Sequence, residues 1–171
     1  MPNIFESIGK VLIGKKSDVV KILEKVPIFE GLNIIELKKI EIITHERQYT
    51  DGEIVFHEKE PGAGMYIIRA GNIKLSKKTE AKEIELLTMK DGDFFGEIAL
   101  LDESPRSATA TSKGQTQILG FYRPDFLELL KREPTLGSKV LLKLSQIIAK
   151  RLRNTTDSTV KGAANANESE S

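Results

Sequence analysis

The chain has 171 residues, 30% of them charged and 39% hydrophobic, which allows one sizeable core with terminal helices and excludes a wholly disordered protein. Its 26 basic side chains nearly balance 25 acidic ones, so no global field draws nucleic acid or an anionic membrane, and an anionic partner must be caught locally. With no cysteine, disulfides, thiolate nucleophiles and zinc-cysteine clusters are excluded, and a reducing, cytoplasmic compartment is the expectation.

Ile4, Ile8, Val11 and Leu12 recur at helical spacing with Glu6 and Lys10 between them. Residues 1–16 therefore read as an amphipathic helical extension, and not as a signal sequence or a membrane span. Gly9 to Lys16 nearly spells a phosphate loop, but Lys16 stands where a Ser or Thr would hold magnesium, and no strand precedes it. A second helical pattern, Val19, Val20, Ile22, Leu23 and Val26, stops at Pro27. Asn33 followed three residues later by Glu36 predicts a capping box opening a helix over Ile34 to Ile43 that buries Leu37 and Ile40.

From about 44 to 121 the period changes to short segments rich in Ile, Tyr, Phe, Thr and Leu, punctuated by Asp51-Gly52, Pro61-Gly62, Gly71-Asn72, Asp91-Gly92 and Lys113-Gly114. Ile54 to Phe56, Met65 to Ile68 and Ile73 to Leu75 read as strands. Sheets with this rhythm close as sandwiches, barrels or jelly rolls, so the expected class is mainly β with flanking helices. Helical spacing returns after Pro124 with Phe126, Leu127, Leu129 and Leu130, and a longer helix follows Pro134, its stripe running Val140, Leu141, Leu144, Ile147, Ile148 and Leu152. These two helices are expected over about 124–154. Residues 156–171 have the composition of a polar, disordered tail. The sequons at Asn154 and Asn167 mean nothing in an unexported chain.

The chemistry concentrates between Phe95 and Ala110. Gly96 permits a close approach to the backbone, and a helical turn opening at Glu97 is expected to direct unpaired N–H groups of Ile98 and Ala99 outward, where an anion is favoured. Arg106 can donate two parallel hydrogen bonds to a phosphate while staying charged, and Glu97 offers an acceptor-only carboxylate to a sugar hydroxyl. The bland alternative is that the two side chains pair across a surface loop.

The run Phe95-Gly96-Glu97-Ile98-Ala99-Leu100-Leu101, a short loop, and Pro105-Arg106-Ser107-Ala108-Thr109 resembles the phosphate-binding cassette of the cyclic-nucleotide-binding domain family. The resemblance extends over about residues 17–155 and implies a jelly roll with N-terminal helices and C-terminal lid helices. It implies that Phe95, Gly96, Glu97, Ile98, Ala99, Arg106, Ser107 and Ala108 bind the ligand, with Glu97 on the ribose and Arg106 on the phosphate. Ser107 resembles the serine of catabolite-activator-type receptors, which points to cyclic AMP in preference to cyclic GMP. Arg151, Asn154 and Thr155, with Arg153, stand where family members cap the purine; as cations in the last turn of a helix, the arginines suit the helix dipole, and that is the preferred reading of them.

The function this implies is a non-enzymatic sensor without metal or cofactor, coupling a cyclic nucleotide to movement of the C-terminal helix. Its expected outlet is a homodimer or a separate effector protein reached through that helix, with no nucleic acid or membrane partner. A cupin-like metal enzyme is the alternative from another class. His45 and His57 are the only histidines, on polar stretches, and fall short of the two or three plus a carboxylate that such a site needs. No serine or threonine is visibly paired with a catalytic base.

Overall fold

The structure, a computed structural model, describes residues 16–168, with side chains through Thr155. The amphipathic helix expected over residues 4–12 lies outside the described residues. Helix α1, Asp18–Leu23, is capped by the Ser17 hydroxyl, which accepts from the Val20 N–H at 3.1 Å. It stops short of the predicted Val26 because Pro27 holds the preceding residue extended, at φ −79° and ψ 122°. A 3-10 turn over Pro27–Phe29 follows. Helix α2, Ile34–Ile42, opens on the predicted capping box: Asn33 Oδ1 accepts from the N–H groups of Ile35 and Glu36, while Glu36 accepts from the Asn33 N–H at 2.8 Å. It buries Leu37 and Ile40 as expected.

Six strands follow: β1 Thr44–Tyr49, β2 Ile54–Phe56, β3 Gly64–Lys78, β4 Glu83–Lys90, β5 Phe94–Phe95 and β6 Thr109–Tyr122. All pairings are antiparallel, in the order β1-β6-β3-β4, with β2 also on β6 and β5 on β3. The predicted class, a β-roll flanked by helices, is what forms. Asp51-Gly52 and Asp91-Gly92 make the expected turns, with both glycines at positive φ. Two other predicted turns do not turn. Gly71-Asn72 lies inside β3 and Lys113-Gly114 inside β6, facing each other where the register slips between Ala70 and Asn72. They are bulges that bend two long strands. At Gly71, φ is 101° and a Cβ would lie 2.5 Å from the Gln115 carbonyl oxygen, so only glycine fits.

β3 is buried on both faces over Gly64–Ile68, where a period of two sorts the side chains into separate cores, and the register slips between Ile68 and Asn72 then bring Ile73 onto the same side as Tyr66 and Ile68. Met65 and Ile67 point toward the helices and join Phe29, Leu37, Leu119, Phe121, Phe126 and Val140. Tyr66, Ile68 and Ile73 point into the roll and join Tyr49, Met89, Phe95, Ala110 and Ile118.

Helix α3, Arg123–Arg132, carries Pro124 in its first turn, and helix α4, Pro134–Glu168, begins at Pro134. A Cβ on Gly137 would lie 2.8 Å from the Leu130 Cα, so glycine lets the two helices approach closely. Of the predicted stripe on α4, Val140 and Leu144 are buried and Leu152 is 67% exposed. The helix expected to end near Asn154 runs further, its backbone helical to Glu168. No proline interrupts the segment, and extending a nucleated helix adds one hydrogen bond for each residue fixed, which outweighs the loss of apolar side chains. Among the described residues, no helix is long and apolar enough to cross a membrane.

Candidate ligand-binding site

The core inside the roll is unfinished at one end. There it opens into a cavity of about 700 Å³, within the usual size of small-molecule sites, between β4, the Phe95–Ala108 segment and α4. Every residue that the sequence singled out as ligand-binding lines it: Phe95, Gly96, Glu97, Ile98, Ala99, Arg106, Ser107 and Ala108. Arg151, Asn154 and Thr155 of α4 line it as well, whereas Arg153 is not on its wall.

Gly96 turns the chain from β5 into a 3-10 turn over Glu97–Leu100, with φ at 71°. The short turn corrects one expectation: the Ala99 N–H is not free, because it donates to the Gly96 carbonyl at 3.2 Å. The buried cation on the cavity wall is the guanidinium of Arg106. That side chain is 7% exposed, and its Nη1 and Nη2 donate to the carbonyls of Gly96 at 3.1 Å and Gly64 at 2.7 Å. Its Nε–H is buried with no partner. A buried orphan donor is costly, and here it stands beside an open cavity. Burial pulls the Arg106 pKa down from its ordinary value, opposed by Tyr66 and Glu97. An arginine stays charged through such a shift.

Glu97 is 5% exposed and does not pair with Arg106. Its carboxylate accepts from Arg151 Nη1 at 2.5 Å, across 54 residues of sequence, and the Arg151 guanidinium sits 4.9 Å from the centre of the Phe94 ring. Pairing of Glu97 with Arg106 across a surface loop is thus overturned, since both groups are buried and each has other partners. The helix-dipole account of Arg151 fails too, because α4 runs on well past it.

The loop before Arg106 is staked at several points. Asp102 accepts from the Ser104 N–H at 3.2 Å, with the Ser104 hydroxyl holding the Asp102 carboxyl below its usual range. Glu103 pairs with Arg123 at 2.6 Å, and Pro105 bridges to Pro61.

Sequence reading missed several members of the site. Leu75, Leu87 and Met89 form an apolar wall, and their spacing of two on β3 and β4 was the only available signal. Phe56, marked only as a strand residue, lies under Arg106. Gly64, at the start of β3, supplies the carbonyl that Arg106 Nη2 uses. The histidines are not brought into the cavity: His45 lies 3.2 Å from Asp125 at the start of α3, and His57 lines a separate surface hollow with Lys74 and Glu83. Among the described residues, no three histidine, aspartate or glutamate side chains are grouped to hold a metal.

A β-roll whose interior ends in a cavity bearing a buried guanidinium and a buried carboxylate defines a small-molecule receptor domain. The family model described as the cyclic nucleotide-binding domain matches residues 46–133, and the chain belongs to that family. Among proteins it resembles, the cyclic AMP receptor protein of Thermus thermophilus is 31% identical over 128 residues, covering 74% of this chain and 57% of the receptor. The chain thus spans little more than half of that relative. The crystal structure of the Thermus thermophilus catabolite activator protein matches with a TM-score of 0.71 at 30% identity, covering 78% of this chain and 61% of that one. The regulatory domain of Toxoplasma gondii PKA, solved with cAMP, matches with a TM-score of 0.64 at 25% identity, covering 80% and 52%.

Proposed function

We propose that the chain is a sensor domain that binds a 3′,5′-cyclic nucleotide in this cavity, with cyclic AMP preferred to cyclic GMP, and makes no bond of its own. The observation that carries the reading is the presence in one cavity of Arg106 and Glu97, both nearly fully buried and of opposite charge. A cyclic phosphate has one negative charge for the guanidinium, and the Ser107 hydroxyl on the same wall can add a hydrogen bond. The ribose 2′-hydroxyl has a proton to give to Glu97, and Arg151 keeps that carboxylate oriented. The purine then lies between the apolar wall of Leu75, Leu87 and Met89 and the α4 residues Asn154 and Thr155. The matched receptor and the domain solved with cAMP support the adenine preference.

Because α4 supplies Arg151, Asn154 and Thr155, an occupied cavity favours the docked position of that helix over any other. The exposed Leu142 and Leu152 give it a surface for a second copy or a separate effector, through which the domain acts in trans.

Calorimetric titration of metabolite-free protein with cyclic AMP and cyclic GMP, repeated on Arg106→Ala, tests the reading. A charge-assisted hydrogen bond contributes about 1.5–3 kcal/mol, so the variant is expected to lose about one to two decades of affinity. Folded wild-type protein that takes up neither nucleotide at millimolar concentration sinks the proposal.

A further inference from the structure

Arg106 is held from two directions. In the plane of the guanidinium, the carbonyls of Gly96 and Gly64 fix Nη1 and Nη2. Over aromatic faces, the cation lies 4.2 Å from the centre of the Phe56 ring and 5.5 Å from that of Tyr66. Phe56, Tyr66 and Phe95 form a closed trio, with centroids 5.6, 5.8 and 5.5 Å apart, so the ring under Arg106 is itself braced. Phe56 comes from the three-residue strand β2 and stands opposite Ala110 on β6, just beyond the segment that carries Arg106.

The two carbonyls act on Nη1 and Nη2 alone, and by themselves they resist tilting of the plate about the line joining those nitrogens less than they resist its sliding. An aromatic face adds resistance to that tilt, because the cation is attracted to the ring face. We infer that Phe56 is a positioning residue for phosphate recognition, its ring face holding the Arg106 guanidinium flat so that its remaining N–H groups meet an anion in the cavity. This rests on the cyclic-nucleotide reading of the site and adds a residue to it.

The test titrates wild type, Phe56→Leu and Phe56→Tyr with cyclic AMP, cyclic GMP and the two phosphorothioate diastereomers of cyclic AMP. Each diastereomer has sulfur, a poor hydrogen-bond acceptor, in place of one exocyclic oxygen, so a fixed guanidinium tells them apart and a tilting one does so less. Phe56→Leu is expected to bind both natural nucleotides about tenfold more weakly and by the same factor, since the phosphate is common to them. Its preference between the diastereomers shrinks, and Phe56→Tyr, which keeps the ring face, retains both properties. Phe56→Met carries the same comparison if the leucine variant does not fold.

Three results overturn the inference: a loss of less than about twofold, an unequal loss for the two nucleotides, or a loss that leaves the diastereomer preference intact. The last would mean Phe56 serves packing alone. Failure of the wild type to bind any of the four ligands removes the functional reading and this role with it. Binding by wild type that Phe56→Leu leaves unchanged removes only the role.

Discussion

The two cores of this domain are built from the same strands and end differently. On the helix side, Phe29, Phe121 and Phe126 meet edge to face at 5.9 and 5.8 Å, and α1 through α4 close the space completely. Inside the roll, Tyr66, Phe95 and Met89 are nearly as buried, yet the cluster continues into an open cavity whose apolar wall includes Leu87, still 53% exposed. The first core stabilises the fold. The second holds unpaired capacity, in Arg106 Nε and in an uncovered apolar wall, for something not made of protein.

Substitutions can break that contrast, beginning with the largest effect. Phe121→Ala in the closed core is expected to cost about 3–5 kcal/mol in urea unfolding, because the facing rings cannot collapse to fill the space. A cost below about 1 kcal/mol would show that this core is not sealed. Gly96→Ala acts at the boundary between the two regions. Its Cβ would stand 2.5 Å from Arg106 Nη1 at a φ of 71°, so about 1–2 kcal/mol of strain is expected, together with weaker ligand binding as Arg106 is displaced. Unchanged titration curves for this variant would contradict the tight seating of the guanidinium.

Arg151→Ala removes the partner of Glu97, but the Arg151 side chain is 47% exposed and solvent screens the pair. Its effect on unfolding is expected at about 1 kcal/mol or less, and its effect on ligand affinity is the larger of the two. A large loss of stability with unaltered affinity would make the pair structural. Leu87→Ser, on the open wall, should leave thermal unfolding within about 0.5 kcal/mol while weakening nucleotide binding several-fold, as compared by calorimetry. If stability fell as it does for Phe121→Ala, the two cores would not differ.

Much of the fold was legible because its signals are local. A capping box needs only Asn33 and Glu36, and the alternation of side chains along β3 needs only a period of two. Turns were less legible: Gly71 and Gly114 have the chemistry of hairpin turns, and only the presence of paired strands on either side made them bulges. The end of α4 was less legible, because the apolar stripe stops before the helical backbone does and continuation needs only compatible residues.

What the sequence determined by itself is the set of groups in the segment from Phe95 to Ala108, a glycine, a carboxylate and a guanidinium, because a turn-forming glycine and the residue types that follow it are local facts. What the tertiary structure decided is which partners those groups take. Glu97 meets Arg151 across 54 residues, and Arg106 meets Phe56 and the carbonyl of Gly64, contacts that depend on how the roll closes and where α4 docks. Periodicity reports the face a residue occupies; only closure of the chain in three dimensions says what stands opposite.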